Sequence, residues 1–163
     1  MLFLLAAYVP STPSLGVAEG QCRRNEPGPA IIVTVNGLRD RRGELKLEVY
    51  PSTETDFLAD DNLLIMAGKT FRRAYRTIPA TGPVQMCIRI PGPGAYSLSL
   101  LHDRNSNRHF NWTVDGIGFS NNPRLGLSAP KAGATRLFAG NGITSTRIVV
   151  NYRRGFSLRP LDE

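Results

Sequence analysis

The clearest signal along the chain is a short-range alternation of apolar and polar positions. In residues 44–50 (ELKLEVY), Leu45, Leu47 and Val49 share one face, while Glu44, Lys46, Glu48 and Tyr50 share the other. Residues 84–90 (VQMCIRI) repeat the pattern, with Val84, Met86, Ile88 and Ile90 opposite Gln85, Cys87 and Arg89. Residues 95–102 (AYSLSLLH) place Tyr96, Leu98, Leu100 and His102 together. A period of two is that of a half-buried strand. Residues 30–36 (AIIVTVN) are β-branched and end at the turn signal Asn36-Gly37. Residues 70–78, 134–139 and 144–152 complete the strand-like runs, and 54–66 predicts no more than one helical turn. Turn signals at Thr81-Gly82-Pro83, Pro91-Gly92-Pro93-Gly94 and Gly140-Asn141-Gly142 separate the runs. Seven short strands without a long helix predict an all-β, antiparallel seven-stranded β-sandwich. The runs 30–36 and 44–50, joined by a polar link rich in arginine, read as a hairpin.

The sandwich is expected to span residues 30–152, preceded by an N-terminal segment, 19–29, and followed by a flexible basic tail, 153–163. Residues 1–18 read as a signal peptide: a short apolar core at 2–9, then Pro, Ser and Thr, then Gly16 and Ala18 as the small residues of a cleavage site. No Lys or Arg precedes the core, as in a signal truncated at its start. The apolar run falls far short of the ~20 residues that a helix needs to cross a bilayer. Export predicts a periplasmic or extracellular protein, and in an oxidising compartment Cys22 and Cys87 are expected to form a disulfide. The period places Cys87 opposite the main apolar face, where a chain end laid over the sheet can meet it.

Composition adds little about chemistry. The chain has 163 residues, 41% hydrophobic and 20% charged, a globular balance that excludes disorder. Net charge is +7, and seventeen of the twenty basic residues are arginine. They fall in small groups (Arg23-Arg24, Arg39 with Arg41-Arg42, Arg72-Arg73 with Arg76, Arg153-Arg154), which makes a polyanion-binding surface one functional reading. Aromatics are not interleaved with them, so specific nucleic-acid binding is not expected.

Candidate chemistry concentrates in residues 102–123, which carry both histidines and a run of Asp, Asn and Gly. Asp103, Asn105 and Asn107 alternate as in the opening of a calcium loop. The sixth position, glycine in such loops, is Arg108, and the twelfth, a bidentate Glu, is Val114. The competing expectation is that these side chains cap turns of their own backbone. His102 and Asp103 are strand neighbours and point to opposite faces, so His102 reads as a structural histidine rather than a general base. No nucleophile motif of the GxSxG type and no phosphate-binding glycine loop occurs, so no catalytic residue is assigned. The binding candidates are His102, Asp103, Asn105, Asn107, Asn111, Asn121 and Asn122. No cofactor is expected apart from the calcium alternative.

The segments IIVTVNGLRDRRGELKLEVY, PGPGAYSLSLLHDRNSN and GFSNNP resemble the bacterial DUF2141 family over about residues 30–152. Members have Gly and then an acid where this chain has Arg108 and Asn111. The resemblance implies an exported, prealbumin-like or Ig-like sandwich of a functionally uncharacterised family, and no enzyme activity follows from it. The expected function is therefore a non-enzymatic binding or envelope-interaction module, with loop 102–123 as its edge and an envelope component or carbohydrate as partner. An alternative is a transthyretin-like hydrolase, because Tyr152-Arg153-Arg154-Gly155-Phe156-Ser157 loosely resembles the terminal YRGS of that family. Here insertions break the spacing, and no His precedes residue 102.

Overall fold

A computed structural model describes residues 7–162; the front of the expected signal peptide (1–6) and Glu163 of the expected tail lie outside the described residues. The described chain contains the strands β1 (Ala30–Asn36), β2 (Glu44–Pro51), β3 (Arg72–Thr77), β4 (Val84–Arg89), β5 (Gly94–Asp103), β6 (Gly116–Phe119), β7 (Arg136–Ala139), β8 (Ile143–Val149), β9 (Asn151–Arg154) and β10 (Ser157–Pro160). Three short helices join them: α1 (Val17–Gly20), α2 (Asp61–Met66) and α3 (Ala132–Thr135). The strands form a three-stranded sheet, β4-β1-β8, and a seven-stranded sheet, β10-β9-β6-β5-β2-β3, with β7 paired to β5. The fold is an all-β sandwich.

The alternating faces meet between the sheets. Ile31, Val33 and Val35 of β1 and Met86 and Ile88 of β4 share one core with Leu45, Leu47 and Val49 of β2 and Leu98 and Leu100 of β5. β1 and β2 are therefore not the expected hairpin. They lie in different sheets and bring their apolar faces together across the core, while residues 37–43 carry the chain from one layer to the other. Gly43 has φ of 72°, and a Cβ there would lie 1.9 Å from the Asp103 carbonyl oxygen, so this corner requires glycine. β1 pairs antiparallel with β4 but parallel with β8, which makes the small sheet mixed rather than purely antiparallel.

The expected strand at 144–152 divides at Val150, whose N–H donates to the Asn36 carbonyl at 2.9 Å. β8 stays in the small sheet, and β9 continues into the large one. β6 is an addition to the expected strands, because its Gly-Ile-Gly-Phe reads as loop. Its glycines are needed: a Cβ on Gly116 would lie 2.4 Å from the Tyr152 ring, and one on Gly118 would lie 2.5 Å from Ile148. The tail expected to fray instead forms β10, paired with β9 from Ser157↔Arg154 to Pro160↔Asn151, and Leu161 packs against the core.

The outer face of the large sheet is also covered. Tyr50, Phe57, Leu64, Phe71, Phe119, Leu125 and Ala132 form a second apolar cluster beneath α2 and the 120–135 segment. Tyr50 stacks edge-to-face on Phe71 at 5.3 Å and on Phe57 at 5.8 Å. The face of β2 expected to be wet, with Glu48 and Tyr50, is buried because these segments fold over it.

Glu48 is tolerated there because it is fully partnered. It accepts from Arg73 Nε at 2.8 Å and from the Tyr50 hydroxyl at 2.7 Å. Arg73 Nη2 donates to Asp61 at 3.0 Å, and its Nη1 donates to the Thr12 carbonyl at 2.9 Å. The Arg73 backbone N–H donates to the Gly16 carbonyl at 3.0 Å. Residues 12–20 thus lie along β3, an edge strand of the large sheet, and cover backbone groups that would otherwise be open; the part up to Ala18 falls within the expected signal peptide, so that cover belongs to the unprocessed chain. The Cys22–Cys87 disulfide, with Cα atoms 6.0 Å apart, then fixes this segment to β4. Closing a loop over 65 residues contributes about 2–4 kcal/mol in the chain-entropy account.

Arg73→Met is expected to destabilise the fold by about 3–5 kcal/mol, because it leaves the Glu48 and Asp61 carboxylates without their shared cation in a dry site. Denaturant unfolding measures this, and a variant as stable as the parent would refute the role given to Arg73.

Candidate functional site

Residues 102–123 leave β5, form a long loop, return as β6 and end in a tight turn. Outside β6 this stretch has no ladder to satisfy its amides, so side chains must do it. Asp103 is 1% exposed; its Oδ1 accepts the Asn107 N–H at 3.2 Å and its Oδ2 the Arg108 N–H at 2.6 Å. Asp115, also 1% exposed, accepts the Arg104 N–H at 3.0 Å and the Asn111 N–H at 2.9 Å. The two carboxylates bind loop amides from opposite ends. Asn105 Oδ1 accepts the Asn107 N–H at 3.3 Å, Asn107 Oδ1 the His109 N–H at 2.9 Å, and Asn111 Oδ1 the Thr113 N–H at 3.0 Å. These bonds hold Ser106 and Arg108 in left-handed backbone, with φ of 55° and 62°. The oxygens aligned in sequence as calcium ligands thus each accept a loop N–H.

Asn121 and Asn122 form the turn after β6, with φ of 62° and 49°, a region asparagine tolerates better than most residues. The Asn121 amide donates to the Arg136 carbonyl. Asn122 acts on β8 like a strand residue: its Nδ2 donates to the Arg147 carbonyl at 2.9 Å, and its Oδ1 accepts the Val149 N–H at 2.7 Å. Ser120 ties the same turn to β5 by accepting the Leu98 N–H at 3.0 Å.

His102 is fully buried. Its Nε2 lies 2.8 Å from the Arg42 carbonyl, an acceptor, so Nε2 carries the proton. Nδ1 then accepts from the Tyr152 hydroxyl at 2.6 Å, and that oxygen in turn accepts the Arg39 N–H at 3.0 Å. Burial holds the imidazole below its usual range and pushes the Tyr152 phenol up to about 12. Asp40 lies beside this group. Burial opposes its ionisation, but hydrogen bonds from Arg104 and the Arg42 N–H outweigh that and hold its carboxyl below the usual range. Tyr152, which begins the hydrolase-like segment, is thus a core residue bonded to His102, and Gly155 and Phe156 form the β9–β10 turn.

Several arginines already have partners within the fold. Arg73 is buried, Arg39 lies over the Tyr152 ring at 4.7 Å, Arg41 donates to the Pro79 carbonyl, and Arg104 pairs with Asp40.

Beside its self-bonded polar side chains, the loop leaves two large aromatic ones in water: Phe110 and Trp112 are 46% and 42% exposed. They line an open groove with Leu58, Phe119, Leu127 and Phe156, and its volume is about 660 Å³. This lies within the range of small-molecule sites, about 300–1,000 Å³. Arg153 sits over the Trp112 ring at 4.6 Å and braces it. The binding candidates read from sequence build the loop that carries the groove, and none of them lines it. The residues that do line it were legible only as apolar side chains out of place: Phe110 and Trp112 within an Asn-rich stretch, and Leu125 and Leu127 in a segment without period.

Among family models, the one described as an uncharacterised protein conserved in bacteria (DUF2141) matches residues 33–147, more than half of the chain. Comparison with curated proteins and with solved structures found no match.

The neutral His102 ring makes stability depend on pH. Its folded value lies below the ordinary 6.5, so on acidification the unfolded chain takes up this proton first. The contribution is complete above about pH 6.5 and is lost as pH falls below it. The melting temperature should therefore drop between about pH 7 and pH 5, and His102→Gln should lower it at pH 7 while flattening that drop. Parallel pH profiles for parent and variant would contradict the assignment.

Proposed function

The chain belongs to the DUF2141 family, and from that premise we propose that it is an exported, non-enzymatic binding module that takes an apolar ligand in the groove walled by loop 102–123 and the β9–β10 turn. The observation that carries this reading is the groove itself. Trp112, Phe110, Leu127 and Phe156 are large apolar side chains left in contact with water around one concavity. Contiguous apolar surface of this kind marks a binding site more often than a chance of composition. The scaffold suits ligand capture, because the loop is pinned at Asp103, Asp115 and Asn122. The wall built by this loop therefore stands before the ligand arrives, and binding need not order it. The Cys22–Cys87 disulfide supports an address outside the reducing cytosol. Among the described residues no helix is long and apolar enough to cross a membrane. The envelope-facing role expected from the sequence is kept, but its contact surface is apolar rather than the Asp and Asn side chains.

Trp112 is the only tryptophan in the chain, so its fluorescence reports on the groove directly. The neutral probe N-phenyl-1-naphthylamine is expected to bind saturably and quench that emission. Trp112→Ala and Leu127→Ser should each weaken probe binding about ten-fold or more. Linear alcohols should displace the probe about four-fold better per added methylene, from about 0.8 kcal/mol per buried CH₂. Non-saturable binding, or no chain-length dependence, would refute the reading.

A further inference from the structure

Beside the apolar groove lies a second cavity of about 340 Å³, lined by Asn122, Arg124, Asn151 and Arg159 among others. Leu125 and Leu158 line both, so the two cavities adjoin there. No Asp or Glu lines either cavity. The amides of this second cavity are already engaged: Asn122 bonds β8 on both sides, and Asn151 Nδ2 donates to the Ile117 carbonyl at 3.0 Å. Its cations are not. Arg124 and Arg159 are exposed, and among the described residues neither forms an ion pair or a side-chain hydrogen bond. Arg73, Arg89, Arg104 and Arg108 each have a carboxylate partner, whereas Arg24, Arg42 and Arg147, which line neither cavity, form no ion pair either among the described residues. Arg153, at the other side of the groove, is engaged by the Trp112 ring and the Gly155 carbonyl.

An apolar trough thus adjoins a cationic cleft, on a chain of net charge +7. We infer that the ligand is a single-chain amphipathic carboxylate: its hydrocarbon chain lies in the groove, and its head reaches over Leu125 and Leu158 to Arg124 and Arg159. This rests on the groove reading above and adds the chemical class. Guanidinium forks match a carboxylate in geometry as well as in charge. Because both arginines are exposed, the head contributes selectivity and the chain most of the affinity.

The test is displacement of bound N-phenyl-1-naphthylamine by decanoate, decanol and decyltrimethylammonium, each below its micellar concentration. Decanoate is expected to displace the probe at about five-fold lower concentration than decanol, with the ammonium weakest. The margin should narrow in 0.5 M salt, where the screening length falls to a few ångströms. The double variant Arg124→Ala/Arg159→Ala, checked for an unchanged melting temperature, should reduce decanoate to the level of decanol. If decanoate and decanol compete equally in the parent, or the double variant keeps the preference, the head-group assignment is overturned while the groove reading survives on decanol binding. If the probe does not bind at all, both fail.

Discussion

The fold around the candidate site depends on one constraint, that the amides of a long loop without a strand ladder must find acceptors. Asp103 and Asp115, both buried, supply four of them, to Asn107, Arg108, Arg104 and Asn111. A carboxylate accepting backbone N–H groups is among the stronger neutral-pH interactions available to a loop, since the acceptor carries charge. It lets Ser106 and Arg108 stay in left-handed backbone that they would otherwise rarely occupy. The loop is therefore a rigid part of the sandwich, although it contributes only the short strand β6.

That rigidity determines which side chains face water. Asp103, Asn105, Asn107 and Asn111 turn toward the loop's own backbone, and Asn122 is bound to β8. Phe110 and Trp112 stay in contact with water. The β9–β10 turn brings Phe156 to meet them, and the 125–127 segment adds its leucines. The cavity that Arg124 and Arg159 help to line adjoins this groove at Leu125 and Leu158. Asp103 and Asp115 are the buried part of this polar frame, and its asparagines share the surface with the apolar rim. The histidine that the sequence places at the start of this loop acts with the frame: His102 joins β5 to Tyr152 of β9 and to the 37–43 corner.

Alternation made most of the sandwich legible. Leu45, Leu47 and Val49, and likewise Val84, Met86 and Ile88, fall on the buried face that their period predicts, and Cys87 sits on the opposite face, where Cys22 reaches it. Partner choice was not legible. A half-buried strand looks the same whether its neighbour in sequence lies beside it or across the core, so β1 and β2 read as a hairpin. The second core was hidden because Glu48 and Tyr50 are polar enough to read as solvent-facing; only the segments that fold over them decide otherwise. β6 was hidden by its glycines, which serve the packing of Tyr152 and Ile148 rather than a turn. In the loop, Asp and Asn spacing fits both cation binding and self-bonding, and the bonds of the second are present in the fold.

Amide hydrogen exchange in the loop tests this most directly, measured residue by residue on the intact, oxidised chain with and without millimolar calcium. Slow exchange at Arg104, Asn107, Arg108 and Asn111 that calcium leaves unchanged is the predicted result. Fast exchange at these four amides in the absence of calcium, with protection appearing only when it is added, would contradict the account and return Asp103, Asn105 and Asn107 to the role of cation ligands.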